Sequence, residues 1–191
     1  MIGVKLLLLL IAGCAAHAAV LRYWVEPCTH PESGCHVGDP ELAQWAMEAW
    51  QTGAAGKLTL QRIAEPAKAH IRVHWVSGND GLYGEARPIV VDGVRGAEVY
   101  VLPAVVSPDE TDALLRETIV YLTCLHETGH ALGLAHTAVF ADIMYSFQYG
   151  GDITEYFARY RRLLSTRSDI RKHSGMSDGD RRSLVQLWTE K

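Results

Sequence analysis

The stretch His126-Glu127-Thr128-Gly129-His130-Ala131-Leu132-Gly133-Leu134-Ala135-His136 decides how this chain is read. Residues four apart on a helix share a face, with Cβ atoms roughly 5–6 Å apart, so His126 and His130 can grip one metal ion from the same side. Gly133 tolerates positive φ, which lets the helix stop and the chain bend. The bend returns His136 as a third nitrogen ligand. Three imidazoles leave a fourth position on Zn²⁺ for water, the arrangement of a catalytic rather than a structural site. Glu127 has the spacing of a general base acting on that water. An amphipathic helix with merely hydrogen-bonded histidines would explain neither the glycine nor the third histidine.

Eight residues beyond His136, Asp142-Ile143-Met144-Tyr145 reads as a methionine turn. Together the two motifs resemble the metzincin clan of zinc endopeptidases. Met144 followed directly by Tyr145 is similar to the matrixin branch, so Tyr145 is expected to be structural and not a ligand. Two further echoes of matrixins lie outside this region. Ala69-His70-Ile71-Arg72-Val73 resembles one of their strands, with His70 replacing the usual acid. Ser177-Asp178-Gly179-Asp180, followed by Leu184, Leu187 and Trp188, resembles their closing cap and C-terminal helix. The resemblance also implies structural calcium and a second zinc near Ser77-Gly78-Asn79-Asp80-Gly81, but that loop offers no clear ligand pattern. His70 and His74 are expected as core or surface histidines.

The chain has 191 residues, 48% of them hydrophobic, enough for one well-cored domain and not two. A formal net charge of −4 gives no reason to expect a nucleic acid partner. Lys5 precedes the apolar run Leu6–Ala12, too short to span a bilayer, and this reads as a secretory signal peptide over residues 1–18. Ala16-His17-Ala18 suits ordinary signal peptidase. Ile11-Ala12-Gly13-Cys14 resembles a lipobox, which would make Cys14 a lipid anchor and the only link to a membrane. Both routes place the protein outside the cytoplasm: secreted, periplasmic or membrane-anchored. Cys28 and Cys35 enclose a short polar turn and read as a disulfide in an oxidising compartment, the rival being a metal site with His30 and His36. Cys124 is expected to be a buried, inert thiol. Because the first strand follows the signal directly, no cysteine-bearing pro-segment of the matrixin kind is expected.

Along the chain, Arg22–Val25 reads as a strand, and Asp39-Pro40 opens a helix that Asp39 can cap. Leu42, Trp45, Ala46, Ala49 and Trp50 give that helix an apolar stripe, and Gly53 follows its end. Further strands are expected at 58–63, 71–76, 89–91 and 97–101. Ser107-Pro108-Asp109-Glu110 matches a capping box for a helix running to Leu132, with a break near Asp112. Ile153, Tyr156, Phe157, Tyr160, Leu163 and Leu164 form a helical stripe with no matrixin counterpart. It reads as a packing helix with a solvated basic face at Arg159, Arg161 and Arg162, or else as a substrate or membrane patch.

The sequence thus predicts one α/β domain of the α+β kind over residues 19–191. It is a metzincin-like twisted mixed sheet of about five strands with backing, active-site and C-terminal helices. The expected function is zinc-dependent hydrolysis of peptide bonds in a protein or peptide substrate by a monomer, with one zinc on His126, His130 and His136 and with Glu127 activating the zinc-bound water. The alternatives are a non-catalytic zinc-binding module and a zinc amidase acting on cell-wall peptides. An extended substrate needs a strand edge to satisfy its backbone. Ala97–Val101, the last strand before the active-site helix, is the expected edge, and matrixin-like domains use the strand in this position. The resemblance makes Thr137–Phe147 the wall just beyond the cleaved bond, with Val139, Phe140, Tyr145 and Phe147 expected to make it apolar.

Overall fold

A computed structural model describes residues 18–78, 83–104 and 111–190. Its core is a five-stranded sheet in the order β2-β1-β3-β5-β4. The strands are β1 (Ala19–Val25), β2 (Leu58–Arg62), β3 (Ile71–Trp75), β4 (Gly84–Val91) and β5 (Val94–Val101). The first three and β5 run parallel, while β4 pairs antiparallel with β5. Leu21, Tyr23, Ile71, Val73, Val99 and Val101 alternate onto one face, where they form the core with the helices. Residues 1–17, which carry the expected signal peptide and Cys14, lie outside the described residues, as do parts of the Ser77–Gly81 loop and the Ser107–Glu110 box.

The sheet corrects one expectation. β5 is interior, hydrogen-bonded to β3 on one side and β4 on the other, so Ala97–Val101 offers no free edge. The edge beside the active-site helix is β4, which starts at Gly84, five residues before the strand expected from Ile89-Val90-Val91. Glu85, Arg87 and Pro88 hide its first half from a hydrophobicity pattern. Pro88 is itself the mark of an edge, because proline cannot donate into a two-sided ladder.

Helix α1 (Asp39–Gly53) backs the sheet with Leu42, Ala43, Ala46, Met47 and Trp50 buried. Asp39 does not cap it, and Gly38 is the N-cap residue. The Asp39 side chain is 1% exposed and accepts two hydrogen bonds of 2.7 Å from Arg116, as well as the His36 N–H. Trp50 at the other end donates to Leu125 O and Thr128 Oγ1, fixing α1 against the active-site helix α2 (Ala113–Leu132).

Three shorter helices follow: α3 (Ile153–Arg161), α4 (Asp169–Lys172) and α5 (Asp178–Thr189). The basic face of α3 is partly solvated, as expected, and each of its arginines also has a partner. Arg161 pairs with Asp112 and Arg162 with Glu155, while Arg159 lies over the rings of Phe140 and Tyr156 and donates to Phe140 O. Leu163 is 57% exposed, outside the stripe that Tyr156, Phe157, Tyr160 and Leu164 bury. Among the described residues no helix is long and apolar enough to cross a membrane.

Cys28 and Cys35 are bonded, with Cα atoms 5.6 Å apart. The mass of the unreduced protein should therefore be two hydrogens below that of the reduced chain, with Cys124 the one alkylatable thiol among the described residues after denaturation. Two further free thiols at Cys28 and Cys35 would contradict this.

Candidate active site

Helix α2 starts where Asp112 accepts the N–H groups of Leu114 and Leu115, both at 3.1 Å, so the expected break near Asp112 coincides with this cap. It stops at Gly133, with φ 101°. Gly133 N donates to His130 O and Leu134 N to Gly129 O, the paired bonds that close a helix through a left-handed residue. The chain then folds back. Thr137 N donates to Met144 O at 2.8 Å and Ser146 N to Thr137 O at 3.1 Å, which closes the loop of the methionine turn.

These two local structures bring the three histidines together. His136 Nε2 lies 3.2 Å from His126 Nε2 and 3.0 Å from His130 Nε2, and the three side chains form a group able to hold a metal ion. His126 Nδ1 is 2.6 Å from Ile143 O and His130 Nδ1 is 2.9 Å from Leu134 O. A carbonyl only accepts, so each Nδ1 carries the proton and each Nε2 presents a lone pair inward. Lone pairs facing one another at this distance have nothing to share except a cation, and an all-imidazole set suits zinc. Burial pushes His126 down to about 4, so its imidazole is neutral at physiological pH, as a ligand must be. Burial lowers His136 as well.

Met144 is 1% exposed and lies against Gly129, where an added Cβ would come within 2.4 Å of its Sδ and 2.9 Å of Trp50. That contact explains a glycine inside the active-site helix. Tyr145 donates to Gly150 O and is buried, consistent with a structural role. Beneath the turn, Asp180 of α5 accepts Ile143 N at 2.9 Å, Met144 N at 3.3 Å and Ser177 N at 2.8 Å. The sequence shows Ser177 and Asp180 as a helix cap, which they are. It does not show that the same carboxylate supports the methionine turn.

Glu127 is 7% exposed, and its carboxylate has no hydrogen-bond or ion-pair partner among the described residues. Burial, reinforced by the charge of Glu85, pushes it up to about 8. It faces β4 so closely that a Cβ on Gly84 would sit 2.7 Å from Glu127 Cγ and 2.8 Å from Thr123 Cγ2.

The histidines and Glu127 open into a cleft of about 590 Å³. One side is the beginning of β4, with Gly84, Glu85 and Ala86 preceded by Tyr83. The other is apolar, formed by Tyr145, Phe147, Ile153, Tyr156 and Phe157. Of the residues expected in this wall, Tyr145 and Phe147 line the cleft. Val139 is 56% exposed and outside it, and Phe140 stands behind, edge-to-face against Tyr145 and Tyr156. Helix α3 takes their place. The same Tyr156 donates to Asp142 O and Ile143 O, so it shares an acceptor with His126. The apolar stripe of α3 was visible in the sequence, but which surface it would meet was not.

A mixed sheet beside a helix that presents two histidines, with a third returned by a glycine bend, defines a zinc-peptidase site. A family model for matrixins, a peptidase family, matches residues 21–155, more than half of the chain, and the protein belongs to that family of zinc metalloendopeptidases. No curated protein sequence matches the chain. Among solved structures, an archaemetzincin from Methanopyrus kandleri is similar at 14% identity and a TM-score of 0.47, covering 95% of this chain and 100% of its own.

Proposed function

We propose that the protein is an extracytoplasmic endopeptidase in which His126, His130 and His136 hold one zinc and Glu127 is the general base. The supporting observation is the convergence of three histidine Nε2 atoms beside a buried carboxylate, in a cleft bordered by the edge strand β4. Zinc held there would polarise the scissile carbonyl and make a neighbouring water more acidic. The residues of the chain supply the rest. A peptide laid antiparallel along β4 satisfies its backbone by strand addition, and the small residues Gly84 and Ala86 let it approach Glu127. Glu127 takes a proton from the attacking water and delivers it to the leaving amine. Beside a cation held by the histidines, Glu127 would be favoured in its charged form and drawn down from about 8 toward the range where it can accept that proton. Tyr145, Phe147, Tyr156 and Phe157 give the residue after the scissile bond a large apolar pocket.

Export rests on the Lys5–Ala12 signal pattern and is in keeping with a disulfide at Cys28–Cys35. The mass of the mature N-terminus separates cleavage after Ala18 from a lipidated Cys14. Incubation of the zinc-loaded protein with denatured casein, with cell-wall fragments and with a peptide library tests the activity. Casein and library peptides should be cut before large apolar residues. Action on cell-wall fragments alone would favour the amidase, and no hydrolysis at all the binding module. A charged residue preferred immediately after the cut would contradict the pocket while leaving the zinc chemistry intact.

A further inference from the structure

The cleft has a second end. A hollow of about 280 Å³, lined by Ala86, Pro88, Arg95, His130, Gly133 and Leu134 among others, adjoins the main cleft through Ala86 and His130, which line both. It lies between the β4–β5 hairpin and the C-terminal end of α2. Register pairs Val90 with Arg95, Pro88 with Ala97 and Ala86 with Val99. Ala97 and Val99 are buried toward the helices, so strand alternation puts Arg95 on the same face, at the rim of the hollow. Its guanidinium makes no hydrogen bond or ion pair among the described residues. Arg87, on the opposite face, is paired with Glu85. Among the described residues no carboxylate lines the hollow.

We propose that this hollow is a subsite for an acidic side chain of the substrate upstream of the cleaved bond, with Arg95 as the specificity-determining cation. The inference rests on the peptidase reading above. A peptide antiparallel to β4 enters at Pro88 and reaches Gly84, which touches Glu127, at the point of cleavage. At about 3.3 Å per residue along both strands, the side chain beside Pro88 belongs to a residue about three or four positions before the bond. Pro88 and Leu134 offer apolar surface to the methylenes of a glutamate, and Arg95 meets its carboxylate. The end of α2 opposes this, since a helix C-terminus carries roughly half a negative charge. Arg95 brings a full positive charge, and the paired bonds at Gly133 already engage two of the terminal carbonyls. The balance favours an anion.

The test uses the zinc-loaded full chain and fluorogenic peptides that differ only in Glu, Gln or Lys at the third or fourth position before the bond. Wild type should prefer Glu over Lys by roughly five- to tenfold in kcat/KM, the size expected for an exposed ion pair exchanged for a like-charge contact. The preference should shrink in high salt. Arg95→Glu should invert it. Arg182→Glu, an equal charge change on the exposed side of α5, should leave the ratio as in wild type. Zinc-loaded Glu127→Gln supplies an independent readout, the affinity for the same peptides uncleaved, which should rank them in the same order. Cleavage with no charge preference, or a preference that survives Arg95→Glu, overturns the subsite alone. Binding that discriminates by charge while no peptide is ever cleaved overturns the peptidase reading and leaves the subsite standing. Neither cleavage nor discrimination overturns both.

Discussion

Glu127→Gln should leave zinc near one equivalent and lower peptide hydrolysis by about 10²–10⁴-fold or more, the range that a positioned acid–base group contributes. Gln keeps the shape of the side chain and cannot take a proton, so the histidine geometry should be unchanged. Atomic absorption together with a peptide assay checks both halves. Loss of zinc would mean that Glu127 is a ligand and the roles are misassigned. The same substitution has an opposite effect on the metal-free protein. The folded-state value of Glu127 is raised to about 8 from an ordinary 4.5, by burial first and the charge of Glu85 second. A raised carboxyl contributes its stability below 4.5 and loses it as pH rises through about 8, because the unfolded chain ionises freely while the folded one resists. Wild type should therefore forfeit up to about 4 kcal/mol between these limits, and Glu127→Gln none of it. Denaturant titrations of the two metal-free proteins should coincide near pH 4 and diverge by pH 8, with the inactive variant the more stable.

Asp180→Ala is expected to have the largest effect on stability. Asp180 is 2% exposed, and it accepts the N–H groups of Ile143, Met144 and Ser177, so truncation orphans two buried donors and a half-buried one at once. Each unsatisfied donor costs about 1–3 kcal/mol, and relaxation recovers part, for a net loss of about 3–5 kcal/mol. Zinc affinity should also fall, by about 10–100-fold, because Ile143 O is the acceptor that orients His126 and its own peptide sits on Asp180. Thermal melts with and without zinc measure both. A variant that melts like wild type and binds zinc equally would show that the methionine turn stands without α5.

The convergence of the three histidines was almost fully legible in the sequence because its parts are local: an i,i+4 pair, a glycine three residues on, a histidine three beyond that, and the methionine turn. Trp50 and its neighbours were equally plain as a packed helical stripe. What could not be read is what meets what. The β4 edge escaped because Glu85, Arg87 and Pro88 break the alternation, and because parallel or antiparallel pairing is decided by the chain's path and not by the strand itself. Asp180 was visible as a cap, but its reach to Ile143 spans 37 positions and only tertiary packing creates it. Helix α3 likewise announced its apolar stripe without its target. The disulfide was legible because its cysteines are only seven positions apart. Asp39 looked like a helix cap until Arg116, 77 positions away, was found holding it.

Pro88 bears on how copies of this protein treat one another. A sheet edge open enough to receive a peptide is also open to the same edge of another molecule, the usual route to edge-to-edge aggregation. A proline lacks the N–H that a long continuous ladder requires, and Glu85 and Arg87 place charge along the same strand. Two β4 edges brought together would have an interrupted ladder and charged side chains to accommodate. A single peptide needs ladder hydrogen bonds only along the few positions from Gly84 to Arg87, and its residue beside Pro88 is seated by side-chain contact instead. The residue that ends the substrate's hydrogen-bonded ladder thus also disfavours the pairing of two such edges at high protein concentration.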